Sequence, residues 1–481
     1  MKIKYIAVIL LSFLSTFTLH SKPILIKEFV QGYLTKNLVI QSKKQDMKKA
    51  RAQILSSRAV DDIHLELNAD YQLQKDMGSE GLVPIKKNIV KKAEMKLMKI
   101  ISQTGTRLEV SHILSHSKTK LGTSSISTLT IPELEAVNNT QSKAYQNEIN
   151  FGLIQPILRN CFGLLDRYPK KIARLEKTIQ KIEYLELVEN KKLEAVKLYL
   201  DWIYFRRQKQ ILKKIIQNNR MILNQVRKKV RIGLGIQSDL EMARSNVLLY
   251  EKSFLEIKKS EIELLNELKK YLNINSDFYP DEDFLNIQLP KVKTKPNQNL
   301  RIFNAIELAV KQLSFMKKIA SNKMLPQFDI IANYKLYSSK KKFFDSYKKL
   351  KTNEFFVGFQ FKMPLQNKEA RAEKMKAKAE YRKILIRRKK IHRDFYHAKI
   401  HFKNNLKLIN ELKAKQKRYV ASLYKAYRSD LREYRKGIVN LKDLVTTLNE
   451  YSNSKLVITQ YQIEYLKNYY GYLELIDQLA F

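Results

Sequence analysis

Four stretches of the chain alternate between apolar and polar residues, and the first of them does so strictly. The longest, residues 63–74, has Leu65 and Leu67 on one side and Glu66 and Asn68 on the other. The same alternation recurs at 149–154, 328–336 and 355–363. A period of two predicts a β-strand with one apolar and one polar face. Such a strand suits either a half-buried position in an ordinary sheet or a membrane barrel with lipid outside and water inside.

The rest of the chain contains two copies of one helical plan. In each copy a strand leads to a proline, a helical stretch, a glycine turn and a return helix. The helices end near Val230 and Tyr271 in the first copy and near Tyr434 and Leu479 in the second. Both turns contain Arg-x-Gly, and in both an Asp-Leu pair begins six residues after the glycine. The motif residues are Gly233, Asp239 and Leu240 in the first copy and Gly437, Asp443 and Leu444 in the second. Repetition of this kind indicates two structural repeats.

The residue types at the turns predict how the helices are joined. About 70 helical residues at 1.5 Å each make a rod on the order of 100 Å long. Gly233 and Gly437 supply the left-handed or open backbone that ends the outgoing helix. Asp239 and Asp443 are placed to cap the return helix by accepting its free N–H groups. Each copy is therefore predicted to be a helical hairpin with a tight turn at its end.

Both return helices carry apolar residues at heptad spacing. From Leu441 only Lys455 and Gln462 are polar among the a and d positions. From Leu240 the seam reads Leu240, Ala243, Val247, Tyr250, Phe254, Ile257, Glu261, Leu264, Leu268 and Tyr271. A seam this narrow packs helix on helix as a coiled coil. A plain soluble coiled coil would explain the long helices and leave the strands unexplained.

The N-terminus has the pattern of an export signal. Lys2 and Lys4 precede an apolar stretch from Ile6 to Leu19 and small residues near Ser21. This pattern is typical of a secretory signal peptide, so we assign residues 1–21 to one. No further run of about 18 apolar residues follows, so we expect the mature chain to be soluble outside the cytoplasm or to insert as a β-barrel.

Composition narrows the function classes. Gly and Pro number 12 and 10 in 481 residues, which disfavours compact α/β enzyme folds because such folds need many turns. A single cysteine, Cys161, excludes an intramolecular disulfide framework and is expected to be a buried apolar residue. The net charge of +44 would suggest nucleic acid, but the export signal makes nucleic acid a poor partner. Basic residues lining a pore would favour anions, whereas exposed ones would be screened.

These patterns divide the chain into a signal peptide and two repeats. Repeat 1 covers residues 22–275, a linker covers 276–298, and repeat 2 covers 299–481. Within repeat 1, residues 75–145 are expected to be a surface excursion, mostly loop. A hairpin of Lys92–Ser102 and Arg107–Ser115 lies within it, and the sequence leaves open whether this hairpin joins the barrel.

The two Gly-x5-Asp-Leu turns, with the strand-to-proline joints Gln155-Pro156 and Met363-Pro364, resemble the TolC-type outer-membrane efflux channel family over nearly the whole mature chain. The resemblance implies a mainly α protein with membrane β structure. Four strands per protomer would complete a twelve-stranded barrel in a homotrimer, and long coiled-coil hairpins would form a periplasmic tunnel. It also implies that the tip residues Gly233, Asp239, Leu240, Gly437, Asp443 and Leu444 close the tunnel and meet a periplasmic adaptor coupled to an inner-membrane pump.

The sequence departs from the family pattern in three places. Gln366-Asn367-Lys368 follows Pro364-Leu365 where the family often has glycine. Ala59-Val60-Asp61-Asp62 precedes the first strand where the family favours Leu-Pro. The opening helix of repeat 2 also looks about three turns shorter than that of repeat 1. These departures concern the middle section of the predicted tunnel, not the fold.

No residue set nominates an enzyme, a metal site or a cofactor. His397 and His401 are four apart on one helix, near His392, but no cysteine or His-Glu-x-x-His pattern supports them as ligands. The run Arg387–Lys390 covers all sides of a helix and indicates a solvated surface. Two alternatives stay open: a periplasmic coiled-coil adaptor or structural protein of an export system, and a basic rod that binds nucleic acid or acidic polysaccharide.

Overall fold

The computed structural model describes residues 23–77, 85–121, 141–271, 279–286, 289, 300–348 and 350–480. Its strands are β1 Pro23–Ile24, β2 Ile63–Met77, β3 Ile85–Ile101, β4 Thr106–Leu121, β5 Gln141–Pro156, β6 Tyr279–Pro280, β7 Gln327–Lys340 and β8 Thr352–Lys362. Its α-helices are α1 Ile26–Lys36, α2 Leu38–Arg58, α3 Leu164–Arg231, α4 Gln237–Leu268, α5 Arg301–Lys323, α6 Phe343–Lys348, α7 Lys368–Lys436 and α8 Leu441–Leu475. The predicted signal peptide lies outside the described residues.

The chain forms two compact units. The helical unit contains the described residues of 1–45, 182–304 and 390–481, and the sheet unit contains those of 46–181 and 305–389. Both units draw on both halves of the sequence, because each repeat contributes long strands with adjoining helical segments to the sheet unit and the rest of its helices to the helical unit. Among the described residues, no helix combines the length and the apolar character needed to cross a membrane.

The sheet unit contains one antiparallel sheet of six strands in the order β2-β3-β4-β5-β7-β8. The four strands predicted from alternation are β2, β5, β7 and β8. The expectation that 75–145 is mostly loop is wrong, because β3 and β4 lie in that interval and pair with each other and with both neighbours. Lysines and histidines interrupt the apolar face of these two strands, so their residues do not alternate clearly between apolar and polar. Residues 78–84 and 122–140 of the interval lie outside the described part.

The sheet has two distinct ends. The strand residues that lead directly into or out of helical segments are Ile63, Pro156, Gln327 and Lys362, and the register places them at one end, here called the helix end. The tight turn between β3 and β4 also lies there. In that turn Gly105 has φ +79, and a Cβ on it would lie 2.8 Å from the carbonyl oxygen of Asn160. The opposite end, where β2 finishes and β3 begins, is called the far end.

The helical unit is built around aromatic residues. Phe29 of α1, Tyr199 and Trp202 of α3 and Tyr469 of α8 belong to one buried cluster. The short strands β1 and β6 pair in parallel, and Phe284 just after β6 is buried in the same cluster. Part of the segment assigned to a linker therefore packs onto the core, because its aromatic side chain is buried there.

The long helices end close to where the sequence placed their ends. Helices α3 and α7 have 68 and 69 residues. Helix α3 starts at Leu164, because Asn160 and Phe162 adopt positive φ and turn the chain after β5. Cys161 lies in this turn, free and only half-buried, so the expectation of a buried cysteine is wrong. Helix α5 has 23 residues, against 11 and 21 in α1 and α2, in line with the shorter opening helix of repeat 2.

The heptad seam fits one return helix better than the other. In α4 the buried residues include Ala243, Val247, Tyr250, Glu261, Leu264 and Leu268, all of them predicted seam positions. In the middle of α8 the buried residues are Ser452, Ser454, Thr459, Ile463 and Leu466, which flank the predicted seam positions, whereas Tyr469 and Tyr472 further along are seam positions again. The heptad prediction therefore holds at the two ends of α8 and fails in its middle.

Candidate functional site

The two glycine turns end their helices with the same hydrogen bonds. Gly233 donates to the carbonyl oxygen of Val230, and Leu234 donates to that of Lys229. In the second turn Gly437 donates to Tyr434, and Ile438 donates to Glu433. The glycines have φ +77 and +81, and a Cβ at either would meet nothing within 4 Å. Both are Schellman motifs, in which the left-handed backbone alone requires glycine.

The aspartates of the turns do not cap the return helices, so that expectation is wrong. Helix α8 is capped by Asn440, whose side chain accepts a 2.9 Å hydrogen bond from the backbone N–H of Asp443. Helix α4 begins after Ile236, which makes no side-chain cap. Asp239 and Asp443 lie in the first turns of these helices, where a carboxylate stabilises the positive end of the helix dipole. The asparagine was missed because the aspartate was the residue common to both turns.

Leu240 and Leu444 differ in burial despite their matching positions. Leu444 is 0% exposed and packs with Leu441, Leu448, Tyr427 and Tyr434. Leu240 is only half-buried at the margin of the same cluster. This cluster, which also contains Ile222 and Val226 of α3, joins the ends of the two hairpins. Leu444 is therefore a core residue of the tip and is not available to a partner.

Lys229, at the end of α3 in the first hairpin, contacts the last helical turn of α7 in the second hairpin. The Nζ of Lys229 donates a 3.0 Å hydrogen bond to the carbonyl oxygen of Tyr434 and lies 3.9 Å from the centre of the Tyr434 ring. Burial, and after it the nearby Asp239 carboxylate, raises the pKa of Tyr434. Lys229 has no counterpart in repeat 2, where Glu433 occupies the matching position, so repetition in the sequence could not reveal this contact.

The outer surface of the turns is apolar and basic. The exposed apolar side chains are Ile232, Leu234 and Ile236 in the first turn and Ile438 in the second, with Leu234 and Ile438 exposed at 75% and 71%. Arg231, Arg435 and Lys436 are exposed beside them. Exposed apolar side chains clustered at a chain reversal are typical of a protein–protein contact.

One face of the sheet is apolar and exposed. The register aligns Leu65, Leu97, Val110, Phe151, Tyr334 and Phe355 in a single row across all six strands. Further exposed residues of this face include Leu67 on β2 and Phe359 on β8, the latter 71% exposed. In a soluble protein an apolar face this broad would be buried against other parts of the protein. Helix α6 packs on part of it, through Tyr347 near His112 and Phe343 near Tyr145.

The other face of the sheet is polar and carries charges of both signs. Three ion pairs lie on it: Lys96–Glu109 at 2.9 Å, Lys92–Glu94 at 2.8 Å and Lys335–Glu148 at 3.4 Å. Among the described residues, the register places seven acidic side chains on this face (Glu66, Asp70, Glu94, Glu109, Glu148, Asp329 and Glu354) and five basic ones (Lys92, Lys96, Arg107, Lys335 and Lys362). The basic excess of the chain is therefore absent from this face.

The histidines of α7 have separate surroundings. His392 stacks on Phe303 with ring centres 4.4 Å apart, while the Nε2 of His401 lies 3.1 Å from the side-chain amide nitrogen of Asn405. The part of the chain that the structure describes contains no group of three metal-ligating side chains. In the run 387–390, Arg388 pairs with Glu307 of α5.

Solved structures of outer-membrane proteins share this fold. VceC of Vibrio cholerae has a TM-score of 0.63 and 11% identity, covering 94% of this chain and 95% of its own. The CmeC outer membrane channel of Campylobacter jejuni has a TM-score of 0.63 and 12% identity, covering 94% and 86%. The MtrE outer membrane channel of Neisseria gonorrhoeae, in its open state, has a TM-score of 0.63 and 13% identity, covering 95% and 89%.

The likeness lies in the fold and not in the sequence. No protein-family model matches the chain, and no curated protein matches it. At 11–13% identity the likeness shows the fold alone. The chain therefore has the fold of these outer-membrane channels.

Proposed function

We propose that this protein is an outer-membrane channel of a tripartite efflux or type I secretion system. The sheet would lie in the outer membrane with its apolar face toward lipid. The hairpin turns would lie in the periplasm, where they would dock an adaptor that couples the channel to an inner-membrane transporter. The protein would act as a passive duct and would not be an enzyme.

The observation that carries this proposal is the shared fold, which covers 94% of the chain and includes both the long helices and the two-faced sheet. A periplasmic adaptor, the alternative from the sequence, would have no use for the wide exposed apolar face of the sheet. That face suits lipid, because exposed apolar surface of this extent is unfavourable in water.

We further propose that three copies complete one barrel. In the described part of the chain, the edge strands β2 and β8 each pair on one side only. An open edge in lipid would leave backbone groups without hydrogen bonds at several kcal/mol each, so the edges would pair between copies. With six strands from each chain, a trimer would have eighteen strands and not the twelve implied by the family resemblance. Barrel diameter grows roughly linearly with strand number, so the barrel would be about 1.5 times as wide.

The oligomer and its location can be tested together. We expect heat-modifiable migration, recovery in the outer-membrane fraction and the mass of a trimer in detergent. The purified protein should form pores in a planar bilayer. A stable monomer that forms no pores would refute the channel, and a pore-forming dimer would refute only the eighteen-stranded trimer.

The docking role of the turns can be tested separately from membrane assembly. Val at position 233 or 437 would force a β-branched residue into the left-handed backbone region, at a cost of about 2 kcal/mol or more. We expect Gly233→Val and Gly437→Val to lower export while the amount of channel in the outer membrane stays normal. If both variants are lost from the membrane but the surviving channels export normally, the turns are not the docking site.

The charges on the polar face bear on ion selectivity. Because acidic residues outnumber basic ones there, we expect the barrel to show no strong anion preference despite the net charge of +44. Reversal potentials across a planar bilayer under a KCl gradient measure this preference. Clear anion selectivity would mean that basic residues elsewhere set the field in the duct.

A further inference from the structure

The apolar face of the sheet becomes basic at its far end. The register there aligns three successive rows on that face: Tyr71, Lys91, His116, Tyr145 and Lys340; then Leu73, Ile89, Lys118 and Lys143; then Lys75, Lys87 and Lys120. We call the seven lysines and His116 of these rows the basic belt. The rows contain no acidic residue, whereas the four rows before them are mostly aliphatic and aromatic.

The polar face at the same level has a different charge. Its described residues are Asp70, Gln72, Gln74, Asn88, Val90, Lys92, Ser115, Ser117, Thr119, Ser142, Ala144, Gln146 and Ser339. These include one acidic and one basic side chain. A bias of the whole protein toward lysine would enrich both faces alike. At this level seven described lysines instead lie on the apolar face and one, Lys92, on the polar face. A placement this uneven points to a ligand on the apolar side.

Within the described residues, the lysines of the basic belt have no acidic ion-pair partner. Among the ion pairs of the described residues, none includes Lys75, Lys87, Lys118 or Lys143. The Nζ of Lys91 lies 5.9 Å from the centre of the Tyr71 ring. Like charges on adjacent strands repel one another. Anions from outside the chain would remove that repulsion.

The belt lies where aromatic side chains mark the end of the apolar rows. Tyr71 and Tyr145 stand in its first row, and α6 packs beside them with Phe344 largely exposed. Aromatic girdles of this kind occur where a membrane barrel passes from hydrocarbon to headgroups. A groove of about 500 Å³ opens here between Tyr71, Lys91, His116, Tyr145 and Phe343. The Nε2 of His116 is buried with no hydrogen-bond partner in the described residues.

We propose that the basic belt binds the phosphate-bearing headgroups of anionic lipids in the outward-facing leaflet. The inference rests on the proposed function, which directs the apolar face to lipid and the far end away from the periplasm. Lysine stems lie along apolar surface while their ammonium groups reach the phosphates. The contact would hold the sheet at a defined depth in the membrane.

The test uses a phosphorylated glycolipid of the lipid A type as the probe. Each lysine near an anionic lipid surface is worth about fivefold in binding, so Lys91→Gln, Lys118→Gln and Lys143→Gln together should weaken binding by on the order of 100-fold. The matched control removes three exposed lysines of α7 with the same change in net charge: Lys374→Gln, Lys376→Gln and Lys378→Gln. We expect the control to stay within about twofold of the unmodified protein. Titration of the intact protein in nonionic detergent, read by native mass spectrometry, measures both.

Four outcomes would overturn the proposal. They are unchanged binding by the belt variant, equal loss in the control, equal binding of the dephosphorylated glycolipid, and competition by inorganic phosphate at the affinity of the lipid. Pore formation by the same preparation is measured alongside. Pores without selective lipid binding would refute the belt alone, whereas belt-dependent binding without pores would refute the channel and leave the lipid contact standing.

Discussion

The two hairpin turns share one backbone and differ in what they contact. Both end in a Schellman motif on a glycine with positive φ. The first turn then exposes Ile232, Leu234 and Ile236 and starts its return helix with no side-chain cap. The second exposes Ile438, caps its helix with Asn440 and places Leu444 in the core. The repeated motif thus specifies a chain reversal in both copies. The surrounding residues differ, so the first turn exposes more apolar side chains and the second is held by a residue buried in the core.

Truncation of the matched leucines Leu240 and Leu444 should give the largest difference in stability between the two turns. Leu444→Ala should cost about 3 kcal/mol of local stability because it leaves a cavity in a fully buried cluster. Leu240→Ala, at the margin of the cluster, should cost about 1 kcal/mol. Hydrogen exchange of the amides in the first two turns of α8 and α4, measured by mass spectrometry, reports both opening free energies. Equal costs would mean that the two turns are anchored alike.

Loss of the Lys229 contact between the two hairpins should have the second largest effect on stability. Lys229→Met keeps the apolar stem but removes the charge over the Tyr434 ring and the hydrogen bond to its carbonyl, at a cost of about 2 kcal/mol. The neighbouring exposed residue offers a control, since Lys228→Met changes the same charge without that contact. Faster exchange at the end of α7 in the first variant only is the expected result. If both variants behave alike, the ring contact does not hold the hairpins together.

The caps can be exchanged between the turns. Asn440→Ala removes the hydrogen bond to Asp443 and should destabilise the start of α8 by about 1 kcal/mol. Ile236 has the extended backbone of a cap residue, so Ile236→Asn should stabilise the start of α4 by up to about 1 kcal/mol. The same exchange measurement at the first amides of each helix checks the pair. A gain at α4 as large as the loss at α8 would show that only the side chain distinguishes the two starts.

The smallest effects on stability belong to the exposed apolar residues. Leu234→Ser and Ile438→Ser should each change stability by less than about 0.5 kcal/mol, because the side chains are in solvent. Under the proposed function they should still lower adaptor binding, and the richer apolar surface of the first turn predicts the larger loss for Leu234→Ser. Binding of the purified adaptor to each variant measures this. Normal binding by both would place the docking surface elsewhere.

Much of the fold followed from local patterns. Alternation predicted β2, β5, β7 and β8, because successive side chains of a strand point to opposite faces of the sheet. The glycine turns and the lengths of α3 and α7 followed from the scarcity of helix breakers. Ile232 and Leu234 also signal the exposed apolar surface of the turns, since apolar residues are unusual in a solvated loop, but they are not repeated at the second turn, where Lys436 and Ile438 occupy the matching positions.

The sequence by itself determined the two-faced strands, the long helices and the paired glycine turns, since each depends on residues close together in the chain. Only the tertiary structure decided that β3 and β4 join the sheet. Their lysines obscure the alternation in the sequence, and only the register shows that these lysines lie on the same face as the apolar residues. It also decided that Asn440 is the cap and that Leu444 is buried while Leu240 is not. These features depend on partners distant in sequence, and burial and register exist only once those partners have packed.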